Sequence, residues 1–183
     1  GASDGWLRMV ARPILLDLTE RTGEACFVAR FGGVTVRSVE MVAPDNHLRA
    51  YILPGQEITP HTGASAKAIL AFQDIPVVEA ALAGDLPRFT ALTKTDRNAL
   101  LAELADVRKS GIAFCIGEDV DGFAGVAVPI FVSGLDVQLS ICVTGTIKSL
   151  IEQKISLVEV ELRNSAQRLA TVLEHRANFS QPG

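Results

Sequence analysis

Histidine, serine and cysteine are the side chains of this sequence that could carry out catalysis or bind a metal. The three histidines, His47, His61 and His175, are scattered, and none stands near a cysteine at the spacing of a zinc site. Ser65 follows His61 by four residues, but no nucleophile-elbow sequence surrounds the serine and no acid is evident to orient the histidine. Hydrolysis is therefore a minor alternative, and we expect no catalytic centre, no cofactor and no metal.

Acidic side chains at Glu118, Asp119 and Asp121 raise a second option, a cation-binding loop. They lack the alternating oxygen ligands and the terminal glutamate of a calcium loop, so a solvated acidic turn is the favoured interpretation.

Lys67 could meet the carboxylate of a ligand, or it could point to solvent or pair with an acid such as Glu118. We favour the structural role, because a lysine is seldom buried without a partner.

The composition is typical of one globular domain without a surface for nucleic acid. The chain has 183 residues, 48% of them hydrophobic, which is enough to bury a core without disulfides or a structural metal. Its net charge is −4, and no segment has the density of Lys and Arg that phosphate contacts require. We therefore do not expect the chain to bind DNA by itself.

Cysteine usage and hydropathy indicate the compartment. Cys26, Cys115 and Cys142 lie in apolar runs, as small hydrophobic residues do, which favours a reducing environment. No apolar run approaches the roughly eighteen residues of a membrane span, and the first residues lack the pattern of a signal peptide. A cytoplasmic protein with no membrane partner is expected. The opening Gly-Ala-Ser is typical of an expression remnant or a cut point, so we expect the natural protein to continue upstream.

Hydrophobic periodicity and turn residues predict a mixed α/β chain of the α+β kind. Gly32-Gly33 between two β-rich runs is the strongest hairpin signal, so the sheet is expected to be antiparallel. A helix rich in alanine follows the strands, and a long amphipathic helix ends the chain. The predicted elements are helices over 6–11 and 13–23, strands over 25–31, 34–42 and 48–53, helices over 64–72, 77–83 and 95–109, strands over 112–116, 125–132 and 137–144, and a helix over 148–175.

Small side chains share one face of the last three predicted strands. Successive side chains of a strand point to opposite faces, so Ser140, Cys142 and Thr144 lie together, opposite larger aliphatic residues. Gly125 begins a similar small face on its strand, and Cys115 shares its face with Ala113 and Gly117. Such faces either surround a hollow for a ligand or let a helix lie close on the sheet, and periodicity leaves both open. The start of the Ala-rich helix, around residues 64–66, would attract an anionic group.

Several motifs in register resemble a known family. The segment at 61–72, His-Thr-Gly-Ala-Ser-Ala-Lys-Ala-Ile-Leu-Ala-Phe, resembles the signature segment of the IclR family of bacterial transcriptional regulators. Arg-Lys-Ser-Gly-Ile-Ala-Phe at 108–114, Glu118, Gly122, Val-Ala-Val-Pro-Ile at 126–130 and Ser-Ile-Cys-Val-Thr-Gly at 140–145 follow the family's order without an insertion. The resemblance covers residues 6–176, nearly the whole chain.

The resemblance implies a GAF-like effector-binding domain, with a central antiparallel sheet of about six strands and helices on both sides. Residues 1–12 would be the entering helix from a missing N-terminal winged helix-turn-helix, 13–178 the effector domain and 179–183 a tail. It further implies a homodimer or homotetramer that contacts DNA through the missing domain alone. The residues that it places around a small-molecule effector are Ala64, Ser65, Cys115, Gly125, Cys142 and Thr144.

Two positions depart from the family pattern. Cys115 stands where members that bind small keto acids can have an acidic side chain, and Ala66 replaces the usual glycine before the signature lysine. A thiol in place of a carboxylate makes the expected pocket less polar, which favours an aromatic acid or a lactone as the effector. A GAF-type sensor of another signalling protein and a small hydrolase are the alternatives.

Overall fold

The computed structural model describes residues 2–45 and 52–180, with side chains for 4–45 and 52–176. Its helices and strands are α1 Ala2–Thr22, β1 Ala25–Phe31, β2 Val36–Val42, β3 Glu57–Ile58, α2 Ala64–Leu70, α3 Ile75–Ala81, α4 Arg97–Ser110, β4 Ala113–Ile116, β5 Phe123–Pro129, β6 Leu139–Thr146, a π-helix Ile147–Gln153 and α5 Ile155–Ser180. The predicted α+β class is confirmed.

The six strands form one antiparallel sheet in the order β3-β2-β1-β6-β5-β4. The chain builds one half of the sheet with its first strands, leaves through the middle helices and returns to build the other half. Strands β1 and β6 therefore meet at the centre, with Phe27 opposite Cys142. This arrangement is the GAF-like sheet with helices on both sides that the resemblance predicted.

Two hydrophobic cores cover the two faces of the sheet. Because side chains alternate along a strand, Val28 points into the core under α1 and α5, while its neighbour Phe27 points into the core under α2 and α4. The first core is filled by large aliphatic side chains such as Leu18 and Leu162. The second also contains large side chains, but α2 contributes alanines to it, and Ala66 and Ala68 are fully buried there. Small residues on α2 allow this helix to lie close to the sheet.

The predicted break at Pro13 is wrong, because α1 runs without interruption from Ala2 to Thr22. Proline lacks the N–H that would bond to the carbonyl of Met9, which usually ends or bends a helix. Both Pro13 and Met9 are exposed, so water can satisfy that carbonyl. The opposite side of the helix buries Leu15 and Leu18 against the sheet, and this packing stabilises a continuous helix despite the proline.

The strands differ from their predictions mainly at their ends. The hairpin around Gly32-Gly33 is confirmed, although β2 begins two residues later than predicted. The predicted strand at 48–53 lies largely outside the described residues, and its described residues 52 and 53 are not in a strand. The third strand is instead the two-residue β3, where no strand was predicted.

The helix ends also show two differences. Helix α4 begins two residues later than predicted, because Asp96 caps it and its carboxylate accepts from the Ala99 N–H at 3.0 Å. Gly111 ends the helix in a left-handed conformation with φ +73°. The last helix does not begin as a regular α-helix, because a π-helical segment capped by the Thr146 hydroxyl precedes α5. Within the described residues, no helix has the length and hydropathy needed to cross a membrane.

Candidate functional site

A cavity of about 280 Å³ lies between α2 and the sheet face formed by β4, β5 and β6. The elements around it bring together residues that are up to 118 positions apart in the sequence, since Phe27 and Gly145 both line it. All six residues predicted to hold a ligand are among its lining residues, namely Ala64, Ser65, Cys115, Gly125, Cys142 and Thr144. The hollow that strand parity suggested is therefore present, and the binding role of these residues stays a prediction.

Gly125 lies on β5, between β4 and β6, and forms the floor of the cavity. It pairs with Cys115 on β4 and with Thr144 on β6, so three small residues lie side by side on one face. A Cβ placed on Gly125 would lie 3.6 Å from Ala64 Cβ, 3.6 Å from Cys142 Sγ and 3.7 Å from Thr144 Cγ2. The glycine thus leaves open a volume that any larger residue would occupy.

Ser65 is the polar group of α2 that most clearly lacks a partner. Its side chain is 1% exposed, and its hydroxyl oxygen makes no hydrogen bond within the described residues. Its carbonyl accepts from the Ser140 hydroxyl at 2.9 Å, which anchors the first turn of α2 to β6. A buried hydroxyl without a partner is costly, and in a residue that lines a cavity it indicates where a ligand or water would bind.

Both thiols of the cavity stay protonated at neutral pH. Burial raises the pKa of Cys115 to about 11, with a further contribution from the nearby Glu118 carboxylate. Burial also raises the pKa of Cys142 well above its ordinary value, and the neighbouring Cys115 adds to this effect. The two side chains are therefore neutral, soft and weakly hydrogen-bonding, and they are poor nucleophiles.

Sequence reasoning missed the apolar wall and the rim of the cavity. Phe27 on β1 lines it, and strand parity could have identified this residue, because Phe27 faces Cys142 across the register. Ile58 on β3 and Phe123 at the start of β5 complete the wall. Asp119 lies at the rim and accepts a hydrogen bond from the Thr62 hydroxyl at 3.4 Å. Hydrophobic periodicity gives no sign that a loop residue such as Asp119 will reach the cavity.

Lys67 has the structural role that the sequence favoured. Its ammonium group is buried and donates to Glu118 Oε1 at 2.9 Å, Glu103 Oε2 at 3.1 Å and the Phe114 carbonyl at 3.0 Å. These contacts use its three donors, so Lys67 has none left for a ligand. The bond to Phe114 also satisfies a backbone group of β4, a strand at the edge of the sheet.

His61 and Ser65 are not joined as a nucleophile and its base. The Nε2 atom of His61 lies 2.8 Å from the Pro87 carbonyl, and its ring packs against Phe89 with centroids 5.6 Å apart. The contact with Pro87 directs the ring toward the loop before α4. Within residues 2–45 and 52–180, no group of three His, Cys, Asp or Glu side chains is arranged to hold a metal ion.

The sheet order, the helices on both faces and the cavity under α2 place the chain among GAF-like α+β domains. Residues 3–171 match the profile of the bacterial transcriptional regulator IclR C-terminal family. The chain therefore belongs to the IclR family and represents its C-terminal domain.

Individual relatives agree with this assignment. The chain is 28% identical over 161 residues to the HTH-type transcriptional regulator BhcR of Paracoccus denitrificans, covering 87% of this chain and 58% of BhcR. A crystal structure of an IclR transcriptional regulator from Silicibacter sp. TM1040 superposes with a TM-score of 0.87 at 26% identity, covering 94% of this chain and 68% of that one. The chain spans about half the length of the curated relatives that it matches.

Two of the similar solved structures contain a hydroxybenzoate. One of them is an IclR homologue from Microbacterium hydrocarbonoxydans complexed with 4-hydroxybenzoate, similar to this chain with a TM-score of 0.84 at 25% identity, covering 95% of this chain and 70% of that one.

Proposed function

We propose that this domain is the ligand-sensing part of an IclR-type transcriptional regulator. A small organic effector, such as an aromatic compound, an organic acid or a lactone, would bind in the cavity under α2 and alter DNA binding by an upstream winged helix-turn-helix domain. The observation that carries the proposal is the cavity itself, in which small side chains from three strands surround the buried, unpartnered hydroxyl of Ser65.

The size of the cavity supports a ligand with one substituted ring. A protein cavity of about 150 Å³ holds benzene, so about 280 Å³ leaves room for a ring with one or two substituents. Phe27 and Phe123 supply apolar surface for such a ring. The structure of the Microbacterium homologue with 4-hydroxybenzoate gives one example of a ligand of this size bound by a relative.

Hydrogen bonding would orient the ligand. Ser65 Oγ can donate one hydrogen bond and accept others, and a ligand oxygen or N–H would remove the cost of leaving it unpaired. The Thr144 hydroxyl lies on the same face of the sheet as Cys142 and provides a second polar contact. Two hydroxyls and two neutral thiols make this a site for binding and not for covalent chemistry.

The wall of the cavity is connected by hydrogen bonds to the end of α1, the helix that would lead to the DNA-binding domain, and to the π-helix. Gly145 lines the cavity and lies against the carboxylate of Glu24, with no room for a side chain. Glu24 in turn accepts from Lys154 Nζ at 2.9 Å and from Ser149, which ties the end of α1 to the π-helix. Lys154 also donates to the Thr22 carbonyl at 2.9 Å.

A ligand that displaces Thr144 or Gly145 would therefore shift α1 relative to α5. The ligand would stabilise whichever arrangement of the subunits it fits better, in a homodimer or homotetramer. Since α1 leads toward the upstream part of the protein, such a shift would reach the DNA-binding domain.

A thermal-shift screen tests the proposal. A ligand at one hundred times its Kd stabilises the native state by about 2.7 kcal/mol, which for a domain of this size raises Tm by about 5 to 11 °C. Hits would then be added to the full-length regulator on its operator, where we expect a change in DNA affinity by fluorescence anisotropy. Absence of any stabilising compound, or consumption of a hit by the protein, would contradict the proposed function.

A further inference from the structure

The π-helical segment between β6 and α5 does not follow the hydrophobic pattern of its own sequence. Ile147, Ile151 and Ile155 recur every four residues ahead of Val158, which is the spacing of one face of a regular α-helix. In the structure these three isoleucines are half-buried, whereas Leu150 between them is fully buried. The pattern of the sequence and the fold therefore turn different residues toward the core.

The wider turn of the π-helix is what brings Leu150 inward. Val158 is fully buried on the regular helix α5, and two α-helical turns take about 7.2 residues. In an unbroken α-helix, Ile151, seven residues before Val158, would face the core, and Leu150 would point to one side of it. A π-helix bonds each residue to the fifth one along, so it acts as one inserted residue and moves Leu150 into the core position.

We propose that residues 147–154 have two helical registers, and that a ligand in the cavity under α2 selects the π register. In the second register the segment is α-helical, and each residue takes the place of the one before it, so that Ile151 replaces Leu150 in the core. This inference rests on the proposed function and specifies how the cavity would control the helices beyond it.

Each register has a favourable feature that the other lacks. In the π register, the Ser149 hydroxyl donates to the buried carboxylate of Glu24. In the α register, Leu150 would stand in the place of Ser149, and that hydrogen bond would be lost. In exchange, the segment would gain regular α-helical hydrogen bonds, and isoleucine for leucine at one core position is a well tolerated exchange because it conserves volume. Neither register is therefore favoured by a large margin.

Hydrogen bonds join the π-helical segment to two parts of the cavity wall. At its start, the first N–H of the segment donates to the Gly122 carbonyl at 2.8 Å, next to the lining residue Phe123. Its serine hydroxyl holds Glu24, which lies against the lining residue Gly145. Moving each residue by one place would release both parts of the wall. A ligand that needs this wall binds the π register better and shifts the population toward it.

Alanine substitutions at the two competing positions test the inference in ligand binding. The ligand would be the most strongly stabilising compound of the thermal-shift screen, with Kd measured by calorimetry on this chain. Leu150→Ala penalises the π register, so we expect it to weaken binding by about tenfold or more, because the binding-competent population falls. Ile151→Ala penalises the other register and should leave the affinity native or slightly higher.

The double variant Leu150→Ala/Ile151→Ala distinguishes a register change from local damage. It penalises both registers, so its affinity should return toward the native value, although its stability is the lowest of the three variants. If Leu150 only supported the wall of the cavity, the double variant would bind as weakly as Leu150→Ala or more weakly.

Urea unfolding without a ligand tests the two registers separately. Leu150→Ala should lose less stability than Leu162→Ala, the same exchange at an equally buried position of α5, because the chain can change register. The loss in Leu150→Ala/Ile151→Ala should exceed the sum of the two single losses, since each single variant can use the other register. Neighbouring residues of one helix do not face each other, so a single register predicts additive losses. Leu162→Ala/Ile151→Ala is the matched control and should be additive.

The outcomes separate this inference from the proposed function. Additive losses at positions 150 and 151 would overturn the two registers, whatever binds in the cavity. A double variant that binds no better than Leu150→Ala would overturn selection of the π register by the ligand and leave an effector site in place. Failure of every compound in the thermal-shift screen would overturn the proposed function and the ligand's part in the switch, while urea unfolding still decides whether the two registers exist.

Discussion

Replacing Gly125 with alanine tests whether the floor of the cavity contacts the ligand. The new methyl group would have ordinary van der Waals contacts of 3.6 to 3.7 Å with Ala64, Cys142 and Thr144, so the native structure can accept it. The backbone of Gly125 is not in the left-handed region, and alanine in a strand is favoured over glycine by about 0.5 to 1 kcal/mol. We therefore expect the unfolding free energy of Gly125→Ala to be unchanged or slightly raised.

The affinity for a ligand should fall in Gly125→Ala, although the stability of the protein does not. A methyl group is close in size to water, whose share of liquid volume is about 30 Å³, so it fills about a tenth of the 280 Å³ cavity. Forcing an extra methyl group into a filled space costs about 1 to 3 kcal/mol, which weakens a hit from the thermal-shift screen by about 5- to 150-fold. Calorimetry of the same hit with native and Gly125→Ala protein gives this ratio.

The matched control is Gly32→Ala in the hairpin between β1 and β2. A Cβ on Gly32 would have no neighbour within 4 Å, and Gly32 does not line the cavity. This variant should bind the hit with native affinity. If Gly125→Ala is folded and its Kd equals that of Gly32→Ala, the ligand does not touch the floor of the cavity and the geometric reasoning is refuted.

Three further predictions concern the polar groups in and beside the cavity. Lys67→Met leaves the buried Glu118 without its cation, while the half-buried Glu103 keeps Lys94, and we expect urea unfolding to show a loss of about 3 to 5 kcal/mol; a loss below 1 kcal/mol would show that the cluster is not important for stability. Thr144→Val keeps the shape and removes the hydroxyl, so it should weaken a hit by a few fold to about tenfold with native Tm, and unchanged affinity would exclude a hydrogen bond from this hydroxyl. Because burial raises the pKa of Cys115 to about 11, its neutral thiol contributes stability that is complete below about pH 9 and is lost as the pH rises toward 11. The fall in unfolding free energy between pH 8 and 10.5 should therefore be smaller in Cys115→Ala than in the native protein, and equal falls would contradict the assignment.

Strand parity is the part of the site that the sequence predicts well. The alternation of small and large residues on the last strands puts Gly125, Cys142 and Thr144 on one face, and the structure has them together on the cavity floor. Alternation of side chains follows from the backbone geometry of a strand, so it can be predicted without knowledge of the tertiary contacts. The same rule, applied to the first hairpin, would also have found Phe27.

Long-range loop contacts are the part that the sequence does not predict. Asp119 reaches the cavity from a loop and Ile58 from the two-residue strand β3, and no local pattern encodes either position. Pro13 within α1 is a similar case, since burial of the opposite helix face outweighs a local preference for a break. The π-helix after β6 also escapes prediction, because its one-residue difference from an α-helix leaves the hydrophobic pattern almost unchanged.

A crystal structure of this chain with a hit from the thermal-shift screen would test the central claim most directly. We predict density for the ligand over Gly125, with one of its polar atoms about 2.6 to 3.2 Å from Ser65 Oγ. Density in the cleft of about 470 Å³ beside Trp6 and Arg176 instead, with the cavity under α2 filled by shifted side chains, would contradict the account.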